Sequence, residues 1–248
     1  MKECDNTLGR IQSIQSFSTF DGPGSRCVIF LQGCPMGCLF CHNPESWDLN
    51  GGEEVDGGGL LRRLERFRPF LRKPGLTISG GEPLFQPEFT LELISRAKAS
   101  GWHVAVDTSG WGPPATFRRV SEAADLMIFS VKHPVDPEKL APGADPKGII
   151  HNLKTLAGLK KPVWLRYVLI PGWSDSIESL KEIGAMAREM PALERVELLP
   201  FNNLAGEKWL KLNRTCPILE AGPLKVSEEQ IVRGEQIIGW RQPEARAE

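Results

Sequence analysis

The sequence has no apolar run close to the roughly 18 to 20 residues that a membrane-spanning helix requires, and it has almost no net charge. Its 30 lysines and arginines oppose 31 aspartates and glutamates, which gives a formal net charge of −1. With so little net charge, the protein has no strong overall electrostatic field that would favour binding to nucleic acid or to an acidic membrane surface. The first ten residues, MKECDNTLGR, lack the apolar core of a secretory signal peptide. We therefore expect a cytoplasmic protein with reduced thiols and with neither a nucleic-acid nor a membrane partner.

Internal repeats and low-complexity linkers are also missing, so no change of composition marks a domain boundary. With 248 residues, of which 41% are hydrophobic, the chain can bury a full core. Single α/β domains of this length are common. We predict one domain that covers residues 1–248.

Cysteine is scarce, yet three of the six cysteines fall in one short run, Gly33-Cys34-Pro35-Met36-Gly37-Cys38-Leu39-Phe40-Cys41-His42. The C-x3-C-x2-C spacing supplies three thiolates, whereas an iron–sulfur cubane held by protein alone takes four. The spacing therefore favours a [4Fe–4S] cluster with one iron open to a small molecule. Zinc bound by the three cysteines and His42 is an alternative, although adjacent ligands make tetrahedral geometry awkward. A disulfide does not suit three clustered cysteines, and we expect ordinary small residues at Cys4, Cys27 and Cys216.

Short apolar runs alternate with longer amphipathic ones along the chain. The short runs are typical of strands buried on both faces, and they are Cys27–Leu31, Leu76–Ser79, His103–Asp107, Leu126–Val131, Val163–Ile170 and Arg195–Leu199. The longer runs predict helices near Gly59–Phe70, Pro87–Ser100, Pro113–Ala123, Gly148–Leu159, Ser176–Met190 and Ser227–Ile238. This alternation favours a parallel sheet. Six units are fewer than the eight of a closed barrel, so we predict an α/β fold in the form of a partial (β/α)6 barrel. The glycines at 51–52 and 57–59 are predicted to form a loose loop.

Polar residues follow or close each predicted strand. The first strand leads into the cysteines, and the fifth carries Arg166 and Tyr167 and ends at Pro171-Gly172. The other strands end at Gly80-Gly81-Glu82-Pro83, Asp107-Thr108-Ser109-Gly110, Ser130-Val131-Lys132-His133 and Pro200-Phe201-Asn202-Asn203. Taken singly, such motifs are more often turns, helix caps or surface charges. In parallel α/β architectures, however, the carboxyl ends of the strands form the working face. Together the motifs predict one polar mouth with the cysteine loop at its rim.

These motifs resemble those of the radical S-adenosylmethionine (radical SAM) enzymes and, among them, the activating enzymes of glycyl radical enzymes. The similarity covers essentially the whole chain. Its specific pieces are Phe20-Asp21-Gly22-Pro23-Gly24, the cysteine loop through Asn43-Pro44, Ser79-Gly80-Gly81-Glu82-Pro83, Asp107-Thr108-Ser109-Gly110, Trp164-Leu165-Arg166-Tyr167-Val168 and Pro171-Gly172-Trp173-Ser174-Asp175. The resemblance implies a partial barrel of the radical SAM type and makes the zinc alternative much weaker.

The resemblance also implies roles for individual residues. Cys34, Cys38 and Cys41 would hold the [4Fe–4S] cluster, and the amino and carboxylate groups of S-adenosylmethionine would chelate its fourth iron. Backbone around Gly81, with Glu82, would receive the methionine amino group, since glycine allows close approach. Lys132 would face the methionine carboxylate. The other cofactor-binding residues implied are Phe40, Cys41, His42, Asp107, Ser130, Val131, Arg166, Val168 and Asn202.

In that family, one electron from the reduced cluster cleaves the sulfonium bond, and the resulting 5′-deoxyadenosyl radical removes a hydrogen atom from a glycine Cα of a partner enzyme. The chemistry requires no general acid or base, so we assign no catalytic side chain. The implied partners are a glycyl radical enzyme similar to pyruvate formate-lyase and, as electron donor, a flavodoxin or ferredoxin. The protein itself is expected to be a monomer whose docking surface lies around Asp21–Gly24 and near Asn202.

Two residues depart from the family's pattern, which typically has aspartate at position 130 and histidine at position 202. With Asp107 and Thr108, that aspartate resembles a site for a monovalent cation beside the cofactor carboxylate. Ser130 removes one anionic ligand, so the sequence predicts weakened cation binding or none. Asn202 can still form hydrogen bonds, but its amide cannot take up a proton near neutral pH as a histidine can.

Two other functions stay open at this point. A radical SAM enzyme could act on a small molecule such as a deazapurine precursor, although the Asp21–Gly24 stretch and the Arg166-Tyr167 pair resemble the activating enzymes. An iron–sulfur electron carrier without catalysis is the third possibility. Such a carrier has little use for an open iron or for a polar mouth.

Overall fold

The structure, a computed structural model, describes residues 7–220 and 224–240. These residues form one sheet with the strand order β3-β1-β2-β4-β5-β6-β7-β8. The strands are β1 (Leu8–Ser18), β2 (Arg26–Leu31), β3 (Glu53–Asp56), β4 (Gly75–Gly80), β5 (His103–Thr108), β6 (Leu126–Val131), β7 (Val163–Leu169) and β8 (Leu193–Pro200). β1 runs antiparallel to β2 and β3, whereas every pairing from β2 through β4 to β8 is parallel.

Helices alternate with the parallel strands. They are α1 (Gly57–Glu65), α2 (Pro87–Ala99), α3 (Pro114–Ala123), α4 (Pro146–Leu159), α5 (Ile177–Arg188), α6 (Gly206–Lys211), α7 (Pro217–Glu220) and α8 (Glu228–Ile238). Short 3₁₀ turns cover Pro44–Trp47, Arg68–Phe70, Pro83–Phe85 and Pro137–Lys139. The six parallel strands are the six that the sequence predicts, so the α/β class and the partial (β/α)6 barrel are confirmed.

The two remaining strands, β1 and β3, were absent from the prediction, which was therefore incomplete. In β1 the apolar Ile11 and Ile14 lie three residues apart, and the pairing with β2 is irregular on both sides of Ser13–Gln15. This breaks the two-residue alternation by which a strand is recognised. β3 reads Glu-Glu-Val-Asp and lies at the edge of the sheet, where polar side chains are tolerated.

The predicted loose loop is correct only in part. Gly51 and Gly52 precede β3, but the glycines at 57–59 form the first turn of α1. The helix begins there because Asp56 acts as its N-cap, with its carboxylate accepting a 2.7 Å hydrogen bond from the Gly59 amide. A good cap therefore outweighs the low helix propensity of three glycines.

The core consists mainly of apolar residues between the sheet and its helices, with a second cluster around the cysteine loop and α6. Cys27 and Cys216 are buried free thiols, as expected, and Cys4 lies outside the described residues. Among the described helices, none has both the length and the apolar character needed to cross a membrane.

Candidate functional site

The loop between β2 and the 3₁₀ turn at Pro44–Trp47 carries the three clustered cysteines at the carboxyl edge of the parallel strands. Gly33 and Gly37 adopt positive φ angles of 91° and 59°, a region that glycine enters without steric cost. The Gly33 amide donates a 2.8 Å hydrogen bond to the Ser46 carbonyl, which closes the loop on itself. The loop is therefore a folded unit around its thiols.

The three thiols of this loop lie near one another and are largely removed from water. Burial raises the pKa of the Cys34 thiol, and the neighbouring Cys38 raises it further. Burial likewise raises the pKa of Cys41 to about 12, with Cys38 again adding to the effect. Close, desolvated thiols resist ionisation together because like charges repel at low dielectric. Such a set is suited to a cationic metal centre, which binds the thiolate form.

The glycine-rich turn after β4 lies against the backbone of the cysteine loop. The Gly81 amide donates a 2.7 Å hydrogen bond to the Leu31 carbonyl, and the Glu82 amide donates a 2.9 Å bond to the Gly33 carbonyl. A Cβ atom at Gly81 would lie only 2.3 Å from the Gly33 oxygen. The close approach that glycine allows at this turn is thus made by the protein's own cysteine loop.

Glu82, buried to 2% exposure, joins the turn after β4 to the loop after β5. Its Oε1 accepts from Thr108 Oγ1 at 2.5 Å and from the Leu84 amide at 3.2 Å. Its Oε2 accepts from Ser109 Oγ at 2.6 Å and from the Ser109 amide at 3.0 Å. Burial raises the pKa of Glu82, while these hydrogen bonds oppose the rise. The Glu82 carboxylate therefore has four hydrogen-bond donors within the protein. These bonds link the turn after β4 to the loop after β5.

A charged network crosses the carboxyl ends of β5, β6, β7 and β8. Arg166 Nη1 lies 2.8 Å from Asp107 Oδ2, and Arg166 Nε donates to Glu197 Oε2 at 2.9 Å. Ser130 Oγ donates to Asp107 Oδ1 at 2.8 Å. Burial lowers the pKa of Arg166, but the two carboxylates outweigh it, and the pKa is raised overall. The guanidinium therefore stays charged and fixes the spacing of these strand ends.

The Asp21–Gly24 segment is attached to the same network from the other side. Arg166 Nη2 donates to the Phe20 carbonyl at 2.8 Å. Arg26, which has no exposed surface, donates to the Pro23 carbonyl at 3.0 Å and to Thr77 Oγ1 at 2.6 Å. Two arginines, one on β2 and one on β7, thus hold this segment against the sheet, while the Phe20 side chain is 82% exposed. The sequence reasoning missed Arg26, although its place two residues after Gly24 was a usable signal.

Comparisons with known proteins agree with this geometry. Residues 28–183 match the family model "Radical SAM superfamily". A pyruvate formate-lyase-activating enzyme from Clostridium pasteurianum is 38% identical over 210 residues, which cover 83% of this chain and 87% of that protein. The pyruvate formate-lyase 1-activating enzyme of Escherichia coli K12 is 34% identical over 234 residues, or 92% of this chain and 95% of that protein. This chain belongs to the radical SAM superfamily and, within it, to the pyruvate formate-lyase-activating enzyme family.

Solved structures support the same fold for this radical SAM chain. A radical SAM methyltransferase from Sphaerobacter thermophilus superposes with a TM-score of 0.60 at 20% identity. The match covers 86% of this chain and 63% of that one. At this identity, the likeness concerns the fold alone.

The cofactors of radical SAM enzymes, a [4Fe–4S] cluster and S-adenosylmethionine, fit the donors present. Within the described residues, no group of three His, Cys, Asp or Glu side chains converges closely enough to hold a single metal ion. Mononuclear zinc needs such convergence, with Zn–S bonds of about 2.3 Å. A cluster spaces its thiolates farther apart, because each one binds a different iron. The zinc alternative is therefore disfavoured chiefly by the family to which the chain belongs.

Lys132 is the cationic group that faces the thiols of this radical SAM site. Burial lowers its pKa, but the thiols of Cys38, Cys34 and Cys41 and the Asp107 carboxylate outweigh burial, so the pKa is raised overall. Its ammonium group has neither a hydrogen bond nor an ion pair with any residue that the structure describes. A half-buried cation of this kind can receive a ligand carboxylate without first breaking a protein contact.

The predicted adenine side of the site lies between the cysteine loop and the end of β8. Phe40, Cys41, His42 and Asn202 line one narrow cleft. The His42 side chain is within hydrogen-bonding reach of the Asn202 backbone. The Asn202 side chain accepts a 3.1 Å hydrogen bond from the Leu204 amide, so it shapes its own turn. Val131 is buried at the end of β6, and Val168 lies half-buried near the end of β7.

Residues that follow β8 hold the far side of the cysteine loop, and the sequence reasoning missed them. Trp209 Nε1 donates a 2.9 Å hydrogen bond to the Cys41 carbonyl. Lys208 Nζ donates to Asn43 Oδ1 at 2.7 Å and lies 2.8 Å from Glu45 Oε1. Trp209 and Cys41 are separated by 168 residues along the chain. No local pattern signals such contacts.

Proposed function

We propose that this protein activates a glycyl radical enzyme of the pyruvate formate-lyase type. The observation that carries the proposal is its 38% identity, over 83% of the chain, to an enzyme named for that activation. The family model matches residues 28–183, which include the cysteine loop, the glycine-rich turn and the strands through β7. When bound, the cluster and S-adenosylmethionine supply reductive cleavage of the sulfonium bond and abstraction of a hydrogen atom from the partner's glycine.

The residues of the chain would divide the work of binding. Cys34, Cys38 and Cys41 would each bind one iron and leave the fourth open to the amino and carboxylate groups of S-adenosylmethionine. The unpaired Lys132 ammonium would bind the methionine carboxylate. Backbone carbonyls near Gly81 would receive the amino group, because the Glu82 carboxylate already has four donors.

The nucleoside would lie along the cleft between the cysteine loop and the end of β8. Phe40 and the backbone of Cys41 and His42 would border the adenine, and Val168 and Asn202 would line the ribose side. The network of Asp107, Ser130 and Arg166 would shape the floor next to Val131. These residues bind, orient and exclude water, so none of them needs to transfer a proton.

The partner's glycine loop would enter where the sheet stays open. The sheet ends at β3 on one side and at β8 on the other, so the barrel is not closed. The Asp21–Gly24 segment would border this opening, with Arg26 holding its Pro23 carbonyl and Arg166 holding the neighbouring Phe20 carbonyl. A peptide that docks there would cover the site and expel water. We further propose one domain spanning residues 1–248, a cytoplasmic monomer, and a flavodoxin or ferredoxin as electron donor.

Action on a small molecule such as a deazapurine precursor is not favoured. The relatives from Clostridium pasteurianum and Escherichia coli, at 38% and 34% identity, are both named for activation of pyruvate formate-lyase. The electron-carrier alternative is also disfavoured, because an unpaired Lys132 beside the thiols has no purpose in a carrier. Neither alternative has a specific observation in its support.

The proposed function is tested by tracing the hydrogen atom that is abstracted from the partner's glycine. Reduced enzyme, S-adenosylmethionine and a pyruvate formate-lyase carrying Cα-deuterated glycine are mixed without oxygen, and the 5′-deoxyadenosine is analysed by mass spectrometry. Incorporation of one deuterium is expected. A partner labelled at every residue except glycine is the control and should give none. Formation of 5′-deoxyadenosine without deuterium in either case would contradict the proposal.

A further inference from the structure

Two tryptophan side chains approach Cys41 from the side of the loop that faces α6. Trp209 donates its indole N–H to the Cys41 carbonyl at 2.9 Å. Trp47, at the end of the 3₁₀ turn that follows the cysteines, packs edge-on against Trp209, with ring centroids 5.0 Å apart and an interplanar angle of 90°. The Arg214 guanidinium lies over the Trp47 ring at 5.5 Å from its centroid. The Trp47 ring is therefore held by neighbours on more than one side.

The indole N–H of Trp47 is the unusual feature of this group. Its Nε1 atom is buried, yet it has no hydrogen-bond partner among residues 7–220 and 224–240. Buried donors without partners are rare and call for an explanation. The Trp47 side chain lies within hydrogen-bonding reach of the Cys41 thiol, although no hydrogen bond is formed between them in this structure.

We propose that Trp47 donates its indole N–H to the sulfur of Cys41 when the cluster is bound, and thereby raises the cluster's reduction potential. The inference rests on the proposed function, because it requires Cys41 to be a cluster ligand. Reduction adds negative charge to the cluster and its thiolates, and a donor to a ligand sulfur stabilises that charge. A thiol is a weak acceptor, whereas a thiolate is a strong one, so the bond forms fully only with the metal centre in place.

Trp209 has a separate task in this arrangement. Its N–H is already used by the Cys41 carbonyl, so it is not available to the sulfur. Its ring instead supports the Trp47 ring through the edge-on contact. One indole thus fixes the backbone of Cys41, and the other is directed to its side chain. This division predicts different consequences when each N–H is removed.

The first test compares Trp47→Phe with Trp173→Phe, which removes an indole from another loop that packs against the same apolar cluster. Both proteins are reconstituted, their iron and sulfide are counted, and the cluster is titrated with reductant under electron paramagnetic resonance. We expect the Trp47→Phe cluster to have a roughly tenfold smaller equilibrium constant for reduction, which corresponds to about 59 mV for one electron. Trp173→Phe should match the wild type. An unchanged potential in a fully loaded Trp47→Phe protein would overturn the inference.

A second measurement uses the wild-type protein and does not depend on the variant folding. Tryptophan labelled with ¹⁵N at the indole nitrogen is incorporated, and the reduced cluster is studied by pulsed electron paramagnetic resonance. An indole nitrogen coupled to the cluster is expected, and the coupling should persist in Trp209→Phe. Absence of any indole coupling in loaded protein would overturn the inference. Failure of the wild type to assemble a [4Fe–4S] cluster would instead contradict the proposed function.

Discussion

Ser130 donates its hydroxyl to Asp107 Oδ1 across 2.8 Å, between the ends of β6 and β5. The other carboxylate oxygen of Asp107 is 2.8 Å from Arg166. Both oxygens of Asp107 therefore have donors within the protein. The structure therefore predicts that Asp107 is held beside the Arg166 guanidinium, which it shares with Glu197, without a metal cation.

Replacing Ser130 by aspartate should create a requirement for a monovalent cation. Aspartate cannot donate to Asp107, and two facing carboxylates repel each other unless a cation lies between them. Oxygen anions suit hard cations such as potassium and sodium. Titration calorimetry of S-adenosylmethionine binding should show roughly tenfold weaker affinity for Ser130→Asp when tetramethylammonium replaces potassium.

Two controls accompany that experiment. The wild type should bind S-adenosylmethionine equally in both salts, because its Asp107 is already satisfied. Ser130→Ala removes the hydrogen bond without adding charge and should also be indifferent to the cation. A strong potassium dependence in the wild type would show that Ser130 and Arg166 do not replace the cation at Asp107.

Gly81→Ala should disrupt the cysteine loop. The added Cβ would lie 2.3 Å from the Gly33 oxygen, so one of the two backbones must move. Such overpacking costs about 1–3 kcal/mol of unfolding free energy. Gly158→Ala is the matched control, since nothing lies within 4 Å of its Cβ position. The midpoint of urea unfolding and the iron content should both fall for Gly81→Ala. Gly158→Ala should keep its iron and should be no less stable than the wild type, because alanine favours the helix α4 more than glycine does. A similar loss in both variants would contradict the argument.

The cysteines should separate into two classes. Serine at Cys34, Cys38 or Cys41 should abolish cleavage of S-adenosylmethionine, because each removes an iron ligand. Serine at Cys27 or Cys216, which donate to the carbonyls of Ser16 and Leu39, should leave cleavage largely intact. Iron analysis of anaerobically reconstituted protein, with about four irons expected in the wild type, provides the readout. If Cys27 or Cys216 proved equally necessary, the assignment of three ligands and one open iron would be wrong.

Lys132→Met should weaken S-adenosylmethionine binding while the cluster still assembles. The ammonium has no partner among the described residues, so its loss removes a ligand contact without leaving a protein group unpaired. Loss of one charge-assisted hydrogen bond corresponds to about 10- to 100-fold in the dissociation constant. Lys139→Met, which loses a hydrogen bond to the Trp173 carbonyl outside the site, is the control and should bind normally. If the two variants bound S-adenosylmethionine with comparable affinity, Lys132 would not be a contact of the cofactor.

The sequence allowed the parallel strands to be predicted because each is a continuous apolar run. The strand at Leu126–Val131, for example, is buried at every position. β1 could not be found in the same way, because an irregular register spaces Ile11 and Ile14 three residues apart. Local patterns report burial on regular elements, and they fail where a bulge changes the period.

The site was predictable where motifs follow strand ends and unpredictable where distant segments meet. Glu82 was expected to face a ligand, but in the structure its oxygens are occupied by Thr108, Ser109 and Leu84. Trp209 gave no local signal, because its contact with Cys41 depends on the chain folding back across the loop. Composition shows which side chains are available, whereas three-dimensional packing decides which of them are already paired.

The central claim, installation of a glycyl radical on a partner, is tested most directly by electron paramagnetic resonance. Reduced protein, S-adenosylmethionine and a pyruvate formate-lyase are mixed without oxygen. A glycyl doublet should appear on the partner and should be absent when the partner's radical-bearing glycine is replaced by alanine. Cleavage of S-adenosylmethionine with no doublet on the native partner would contradict the claim.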